Sequence, residues 1–368
     1  MIIVIGRGVL GLSVAEYLSR QGKGLVVVCS DEQFAAASSA AAANLSTKGQ
    51  LFARDPHFEL KLKSKADYPS WLEELEQELK KAGQSCNFSS HYLCSKGRDV
   101  FETIEQADKQ WRRIAQPIDE LERRGLSQQL IYRPTDFSIE YDGEAWVDAL
   151  YLLRMLEAVC LSRGVQFLNK DARELAELLK LSDKLSDVIL CAGSYSPSIL
   201  ESWGCANFFG GQGRKFRCSY GGTLCAEVPN WYLPDGLSLL EFIGDTAPEK
   251  VTFSGKLGRL FASSVSVTCP FESSFLNLNA AEKHSVASQK QVVKTLLAKQ
   301  FGLSLDSLKH EWRWGWRLGF GHRELLVEQV PHRVDGFGGR IFLVAGAHKS
   351  GFLFAPVIGS LVGQKLQS

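Results

Sequence analysis

The chain has 368 residues, with 42 Lys or Arg and 41 Asp or Glu, which gives a formal net charge of +1. A charge this close to neutral provides no general attraction to nucleic acid or to an anionic membrane. The length suits about two domains of roughly 150 residues each.

The cysteines and the apolar runs restrict the class of protein further. The nine cysteines are scattered without CxxC spacing, so neither a disulfide framework nor a metal site is expected. The chain begins without the basic segment of a secretory signal. No uncharged apolar run reaches the roughly 18 residues that span a bilayer. We therefore expect a cytoplasmic protein without a transmembrane segment.

The first 28 residues have the pattern of a βαβ unit. Residues 2–5 are a β-branched run, typical of a strand that is buried on both faces. Residues 12–21 repeat apolar side chains at helical spacing, and residues 25–28 are again mostly β-branched. The pattern predicts a strand, a helix and a second parallel strand.

A GxGxxG motif lies between the first strand and the helix. Gly6 permits the tight turn, Gly8 allows close approach of a pyrophosphate, and Gly11 allows the helix to pack on the strand. The N–H groups at the start of the helix, including those of Val9 and Leu10, favour phosphate. We therefore predict that Gly6, Gly8, Val9, Leu10 and Gly11 bind a dinucleotide.

The ribose of such a cofactor is usually bound by a carboxylate at the end of the second strand. Asp31 is the candidate, although it lies slightly late in the chain and could instead be a loop residue that starts a turn.

Residues 35–44 then contain only small side chains and Asn44. Such a segment can lie directly against a bulky cofactor, and we predict that Ser38, Ser39 and Ala40 contact it. At this point the sequence resembles the D-amino-acid-oxidase-like family of FAD oxidoreductases, which includes glycine oxidase and sarcosine oxidase. The resemblance implies FAD, and the lack of a cysteine-containing attachment signature implies that it is bound non-covalently.

The resemblance continues along the chain. Residues 144–148 and the helix that follows resemble the family's Val-Asp-Pro turn, with Ala149 in place of the proline. Residues 187–196 resemble the strand and turn beside the adenosine half of FAD, and residues 340–359 resemble the segment that returns under the flavin. The cofactor contacts implied by these two segments are Ala192, Gly193, Gly346, Ser350, Gly351 and Phe352.

The implied fold class is α/β: a Rossmann-type FAD-binding domain interleaved with an α+β substrate domain that contains an antiparallel sheet. We assign residues 1–65, 145–215 and 320–368 to the FAD-binding domain, and residues 66–144 and 216–319 to the substrate domain. Helical periodicity predicts helices near 69–82 and 99–124, and strands are expected between 216 and 318.

Cations are the expected signal of a substrate site in this family. Arg317 matches the arginine that binds a substrate carboxylate; on a strand it shares a face with Arg313, opposite Trp312, Trp314 and Trp316. Lys349 stands where glycine-oxidase-like members have an arginine, and Lys48 is a further candidate beside the flavin. We interpret His348 as a loop histidine rather than a catalytic base.

Two functions from different classes remain. The first is an FAD-dependent oxidoreductase that acts on the CH–NH bond of an amine or amino acid by hydride transfer to flavin N5. The second is a flavoprotein that oxidises or hydroxylates a tryptophan during maturation of a partner quinone-cofactor amine oxidase. The altered substrate-side residues, such as Lys349 and Leu318, keep the second hypothesis open. A non-catalytic FAD-binding protein and an NAD-dependent dehydrogenase are less favoured.

Overall fold

The computed structural model describes residues 1–29, 36–47, 56–123, 130–174, 178, 187–205, 208, 216–244, 250–264, 266–269, 280–320, 325–331 and 337–368. The α-helices of this part of the chain are α1 (Val9–Arg20), α2 (Phe58–Lys81), α3 (Ile104–Arg123), α4 (Ala149–Ser162), α5 (Ser196–Ser202), α6 (Ala280–Phe301) and α7 (Ala355–Gln367).

The strands form two sheets. The first contains β1 (Ile2–Ile5), β2 (Leu25–Cys29), β7 (Gln166–Asn169), β8 (Asp187–Leu190), β15 (Leu326–Gln329) and β16 (Arg340–Ala345). The second contains β3 (Asn44–Leu45), β4 (Tyr92–Phe101), β5 (Leu130–Arg133), β6 (Ser138–Val147), β9 (Phe216–Glu227), β10 (Leu239–Ile243), β11 (Val251–Lys256), β12 (Arg259–Ser264), β13 (Val267–Cys269) and β14 (His310–Phe320).

The first sheet has the order β15-β16-β8-β1-β2-β7, and its strands are parallel except for β15. β1 is buried along its whole length, as its β-branched sequence predicts. α1 and α7 pack closely on one side of this sheet, where Gly359 lies against Tyr17. The first and last segments of the chain are therefore neighbours in the fold.

The second sheet has the order β13-β9-β12-β11-β10-β4-β6-β3, with β14 paired to β9 and β5 paired to β6. Its pairs are antiparallel except for the parallel pair of β10 and β4. β14 and β9 pair over eleven residues, from His310↔Ala226 to Phe320↔Phe216. This long pair carries the candidate arginines.

The predicted elements of the N-terminal unit are confirmed, and the two predicted helices need correction. The first helix covers Phe58–Lys81 rather than 69–82, and Pro69 lies inside it. The second covers Ile104–Arg123, because residues 99–101 belong to β4. The region assigned to strands between 216 and 318 also contains the helix α6.

Candidate functional site

Two cavities meet where the sheets approach each other. We call the first the glycine-loop cleft; it has a volume of about 660 Å³ and extends from residues 5–10 past residues 191–195 to residues 345–348. We call the second the sheet cavity; it has a volume of about 480 Å³ and is bounded by residues 41–44, the face of the second sheet and residues 348–352. Ligand sites in proteins have volumes of roughly 300–1,000 Å³. Both linings contain Val9, Ala37, Ser38, Arg317, His348 and Gly351.

The glycine loop presents the start of α1 to the first cleft. Gly6, Gly8, Val9 and Leu10 line the cleft. Gly11 does not line it, but a Cβ at this position would lie 1.9 Å from the carbonyl oxygen of Gly6. Gly11 therefore allows the helix to pack against the turn. The first turn of α1 contains no acidic residue, which leaves its positive end available for an anion.

The small-residue segment, residues 35–44 of the sequence, also contributes to the lining of this cleft through residues 36–39. Ser38 and Ser39 line the cleft, and Ser38 Oγ accepts a hydrogen bond of 3.0 Å from the amide N–H of Val9. Ala40 is buried and lies outside both linings, and its carbonyl oxygen accepts a 2.7 Å hydrogen bond from Thr223 Oγ1. The segment is thus held both to the glycine loop and to the second sheet.

Four of the six later predicted contacts line the same cleft. Ala192 and Gly193 follow β8 and line the glycine-loop cleft, and Gly346 follows β16 and lines it as well. Ser350 and Phe352 line the sheet cavity only, whereas Gly351 lines both cavities. The structure therefore brings these predicted segments together around one cleft.

Two of the residues predicted from the sequence, Asp31 and Lys48, fall outside the described residues. β2 ends at Cys29, which is half-buried and lines the glycine-loop cleft. Arg7 also lines this cleft and binds the carboxylate of Glu157.

Arg317 occupies the boundary between the two cavities. Its Nη1 donates a 3.1 Å hydrogen bond to Ser266 Oγ, and among the described residues no carboxylate lies within ion-pair distance. Burial lowers the pKa of Arg317 from its ordinary value. An arginine stays protonated at neutral pH, so a partly desolvated positive charge faces the cavities. A carboxylate of a ligand is the natural partner of such a group.

Arg313 has a different environment, although it shares a strand face with Arg317. Its side chain binds the carboxylate of Glu311, with a distance of 2.7 Å from Nε to Oε1. It lines neither cavity.

His348 and Lys349 lie on the turn after β16. His348 lines both cavities, and its Nε2 lies 3.4 Å from Ser219 Oγ. Its backbone has a φ of 47°, which is unusual for a residue other than glycine. Lys349 lines the sheet cavity, as Arg317 does. His348 therefore lies in a loop, as we interpreted it, and its position on the wall shared by the two cavities is a further feature that the sequence did not indicate.

Two buried carboxylates in the sheet cavity were also missed. Asp99 on β4 and Glu241 on β10 stand in register on neighbouring strands. Glu241 accepts hydrogen bonds from Lys250 at 2.7 Å and from Thr252 at 2.8 Å. Asp99 accepts a 3.1 Å hydrogen bond from the hydroxyl of Tyr141. Nothing local in the sequence signals this pair, because the two strands are far apart along the chain.

In the described part of the chain, no cluster of three or more His, Cys, Asp or Glu side chains has a geometry that could hold a metal ion. Among the same residues, no helix combines the length and the apolar character that crossing a bilayer requires.

Comparisons with known proteins extend over the whole chain. A family model described as DAO, FAD dependent oxidoreductase, matches residues 1–365. No curated protein sequence matches the chain at a significant level.

Solved structures share the fold at low sequence identity. Iminodiacetate oxidase from Chelativorans sp. is 18% identical with a TM-score of 0.70, and the match covers 100% of this chain and 95% of that one. Glycine oxidase from Geobacillus kaustophilus is 16% identical with a TM-score of 0.68, over 100% and 94% of the two chains. L-alpha-glycerophosphate oxidase from Mycoplasma pneumoniae, solved with FAD bound, is 13% identical with a TM-score of 0.63, over 100% and 94%.

Proposed function

Because the chain belongs to the DAO family of FAD-dependent oxidoreductases, we propose that it oxidises the CH–NH bond of an amine or amino acid with a non-covalently bound FAD. When bound, the flavin supplies a hydride acceptor at its N5 atom. The protein's own residues then have three tasks: to hold the cofactor, to anchor the substrate and to exclude water.

The glycine-loop cleft fits FAD in shape and in chemistry. The start of α1 and the backbone at Gly8 suit the pyrophosphate, since a Cβ at residue 8 would lie 3.0 Å from Ser38 Oγ and would fill this space. Ala192 and Gly193 would lie beside the adenosine half. Gly346 and Gly351 would lie beside the flavin, where the two cavities meet.

The proposal for how the substrate binds rests on Arg317. It is a half-buried cation without a carboxylate partner among the described residues, and it lies on the wall shared by the two cavities. A substrate carboxylate in the sheet cavity would bind Arg317 and place the adjacent CH–NH carbon toward the glycine-loop cleft. Lys349 also lines the sheet cavity and would add a second positive charge.

The sheet cavity would also receive the rest of the substrate. Its wall includes the polar side chains of Asp99, Glu241 and Thr252. These side chains hydrogen-bond to protein groups, so the wall is fixed in place. Rigid polar walls position a substrate while bulk water is excluded.

The comparisons favour a small-molecule substrate over the maturation of a partner enzyme. The names of two solved neighbours, iminodiacetate oxidase and glycine oxidase, specify small amine-containing acids. The hypothesis of a tryptophan-oxidising maturation protein stays as the alternative outcome of the test.

The test is anaerobic mixing of the FAD-loaded protein with a panel of amines and amino acids. Under the proposed function at least one carboxylate-bearing amine bleaches the visible flavin absorbance. If no small amine bleaches the flavin while a partner protein does, the CH–NH proposal is wrong and the alternative function is supported.

The domain boundaries and the location also remain proposals. Residues 1–65, 145–215 and 320–368 would form the FAD-binding domain, and residues 66–144 and 216–319 the substrate domain. The first sheet draws its strands from the former ranges, and most strands of the second come from the latter, which supports this division. We retain the cytoplasm as the proposed compartment, because the eight cysteines whose side chains the structure describes form no disulfide bond.

A further inference from the structure

A column of aromatic rings follows β14 from the protein surface to the glycine-loop cleft. Trp312, Trp314 and Trp316 alternate along the strand, and Tyr220 of β9 is the register partner of Trp316. The ring centroids are 5.8 Å apart for Trp312 and Trp314, 5.5 Å for Trp314 and Tyr220, and 4.8 Å for Tyr220 and Trp316. The column is therefore continuous over four rings.

The first three rings are stacked almost in parallel. The planes of Trp312 and Trp314 differ by 21°, and those of Trp314 and Tyr220 by 16°. Gly222 makes this arrangement possible, because a Cβ there would lie 2.6 Å from the indole of Trp314. Stacked aromatic pairs add stability, but stability alone does not require the column to run from the cleft to the surface.

The two ends of the column have different environments. Trp316 is 8% exposed and lines the glycine-loop cleft, where FAD would bind. Trp312 is half-buried and stands beside the exposed residues Glu311 and His310. The column thus connects the cofactor site with solvent.

We propose that these four aromatic residues form a relay that carries a one-electron oxidising equivalent from the FAD site to the surface. One electron leaves the indole of Trp316 for an oxidant in the cleft, such as light-excited FAD. The Trp316 radical cation then takes an electron from Trp314 across the ring of Tyr220, and Trp314 takes one from Trp312. The Trp312 radical cation releases its indole N–H proton to solvent, and a soluble thiol can reduce the remaining neutral radical.

Tyr220 acts as a bridge in this relay. Its ring lies 5.5 Å from that of Trp314 and 4.8 Å from that of Trp316, measured between ring centroids. The electron therefore passes between the two indoles across the phenol ring.

Lys290 sets the yield of the outer steps. Its Nζ lies 5.7 Å from the ring centroid of Trp312 and 5.5 Å from that of Trp314. This cation attracts the neutral rings but repels a positive charge on either of them. Replacement of Lys290 by Met should therefore raise the yield of the outer radical.

Transient absorption after a laser flash tests the relay on the FAD-loaded protein. We expect a long-lived neutral tryptophan radical in the wild type. Trp312→Phe should remove the long-lived phase, and Trp316→Phe should remove the radical and lengthen the fluorescence lifetime of the flavin. Trp71→Phe is the matched control, since Trp71 is buried in a cluster that contains none of the four residues, and its ring contacts Tyr68.

Two results would overturn the proposal. One is a wild-type protein that shows bound FAD in its visible spectrum and yields no tryptophan radical. The other is a radical whose lifetime is the same in the Trp312→Phe and wild-type proteins. If Trp316→Phe reduces FAD binding, Trp314→Phe provides the second variant, because Trp314 lies outside the cleft lining and its loss should equally abolish the long-lived phase.

Discussion

Gly315 of β14 lies directly against Ala36 of the small-residue segment. A Cβ on Gly315 would be 2.8 Å from the carbonyl oxygen of Ala36 and 2.8 Å from the Cα of Ala37. Neither neighbour is a flexible side chain, so any larger residue at 315 must displace backbone. The contact fixes the distance between the substrate-side strand and the cofactor-side segment, where Ala36 also forms a bridge to Trp316.

The first prediction follows from this contact. Gly315→Val should move the small-residue segment and weaken FAD binding by about tenfold or more, which corresponds to about 1.4 kcal/mol. Quenching of FAD fluorescence on titration with apoprotein measures the dissociation constant. Gly338→Ala is the control, since a Cβ there meets nothing within 4 Å. Equal dissociation constants for the two variants would show that the contact is not needed for cofactor binding.

The second prediction concerns the glycine loop. Gly11→Ala places a methyl group 1.9 Å from the carbonyl oxygen of Gly6, which α1 and the turn can accommodate only by separating. We expect protein that purifies with little flavin and loses about 1–3 kcal/mol of stability. Flavin content and thermal unfolding measure the two effects, and Gly24→Ala, with open space around its Cβ, should behave as wild type.

The third prediction concerns the substrate anchor. Arg317→Ala should lower kcat/KM for a carboxylate substrate, because the substrate carboxylate would lose its charged partner. The loss of transition-state stabilisation should be about 2–5 kcal/mol. Arg317→Lys should recover part of this loss, since a lysine keeps the charge but not the bidentate geometry. Arg313→Lys is the matched control on the same strand face, as Arg313 binds Glu311 and lines neither cavity. Comparable kinetics for Arg317→Ala and wild type would remove Arg317 from the site.

The fourth prediction is a pH dependence of stability that arises at Asp148. This residue caps α4 by accepting from the amides of Leu150 and Tyr151. Burial disfavours its charged form, but the hydrogen bond with His91 and the charge of Arg259 outweigh burial, so the pKa of Asp148 is lowered. The stabilisation is fully present above the unfolded pKa of about 3.9 and is lost as the pH falls through the lower folded pKa.

Asp148→Asn isolates this effect, because asparagine can still cap the helix while it removes the charge. The variant should have a lower Tm than the wild type at pH 7, and the difference should shrink as the pH falls below about 4. Thermal unfolding at a series of pH values measures it. A difference in Tm that does not change with pH would assign the stabilisation to something other than the carboxylate charge.

The fifth prediction uses the cysteines as reporters of cofactor occupancy. Cys29 lines the glycine-loop cleft, so N-ethylmaleimide should label it in FAD-free protein and label it far less after FAD is added. Exposed Cys94 should react in both states. Burial raises the pKa of Cys160 to about 12, so this thiol should react in neither. Mass spectrometry identifies the sites, and equal labelling of Cys29 in both states would place the cofactor elsewhere.

The N-terminal unit could be predicted from sequence because its signals are local. The β-branched run, the spacing of Gly6, Gly8 and Gly11, and the helical periodicity all lie within the first 28 residues. The face shared by Arg313 and Arg317 was likewise readable from strand alternation.

Other features depend on contacts between distant segments and have no local signal. Arg313 and Arg317 share a strand face but differ in environment, because Glu311 binds Arg313 and not Arg317. The place of His348 on the shared wall depends on the approach of β9 and β14 to the turn after β16. Asp99 and Glu241 become neighbours only through the parallel pair of β4 and β10, which no nearby turn connects.

The position of β1 between β8 and β2, with β16 beyond β8, has a consequence for how the protein matures in the cell. The glycine loop is made well before residues 345–351, which complete its cleft. A nascent chain that has not yet reached residue 351 therefore lacks one wall of the site. The full set of FAD contacts can form only after β16 has been made and has paired with β8, so the first βαβ unit alone would hold the cofactor weakly during synthesis.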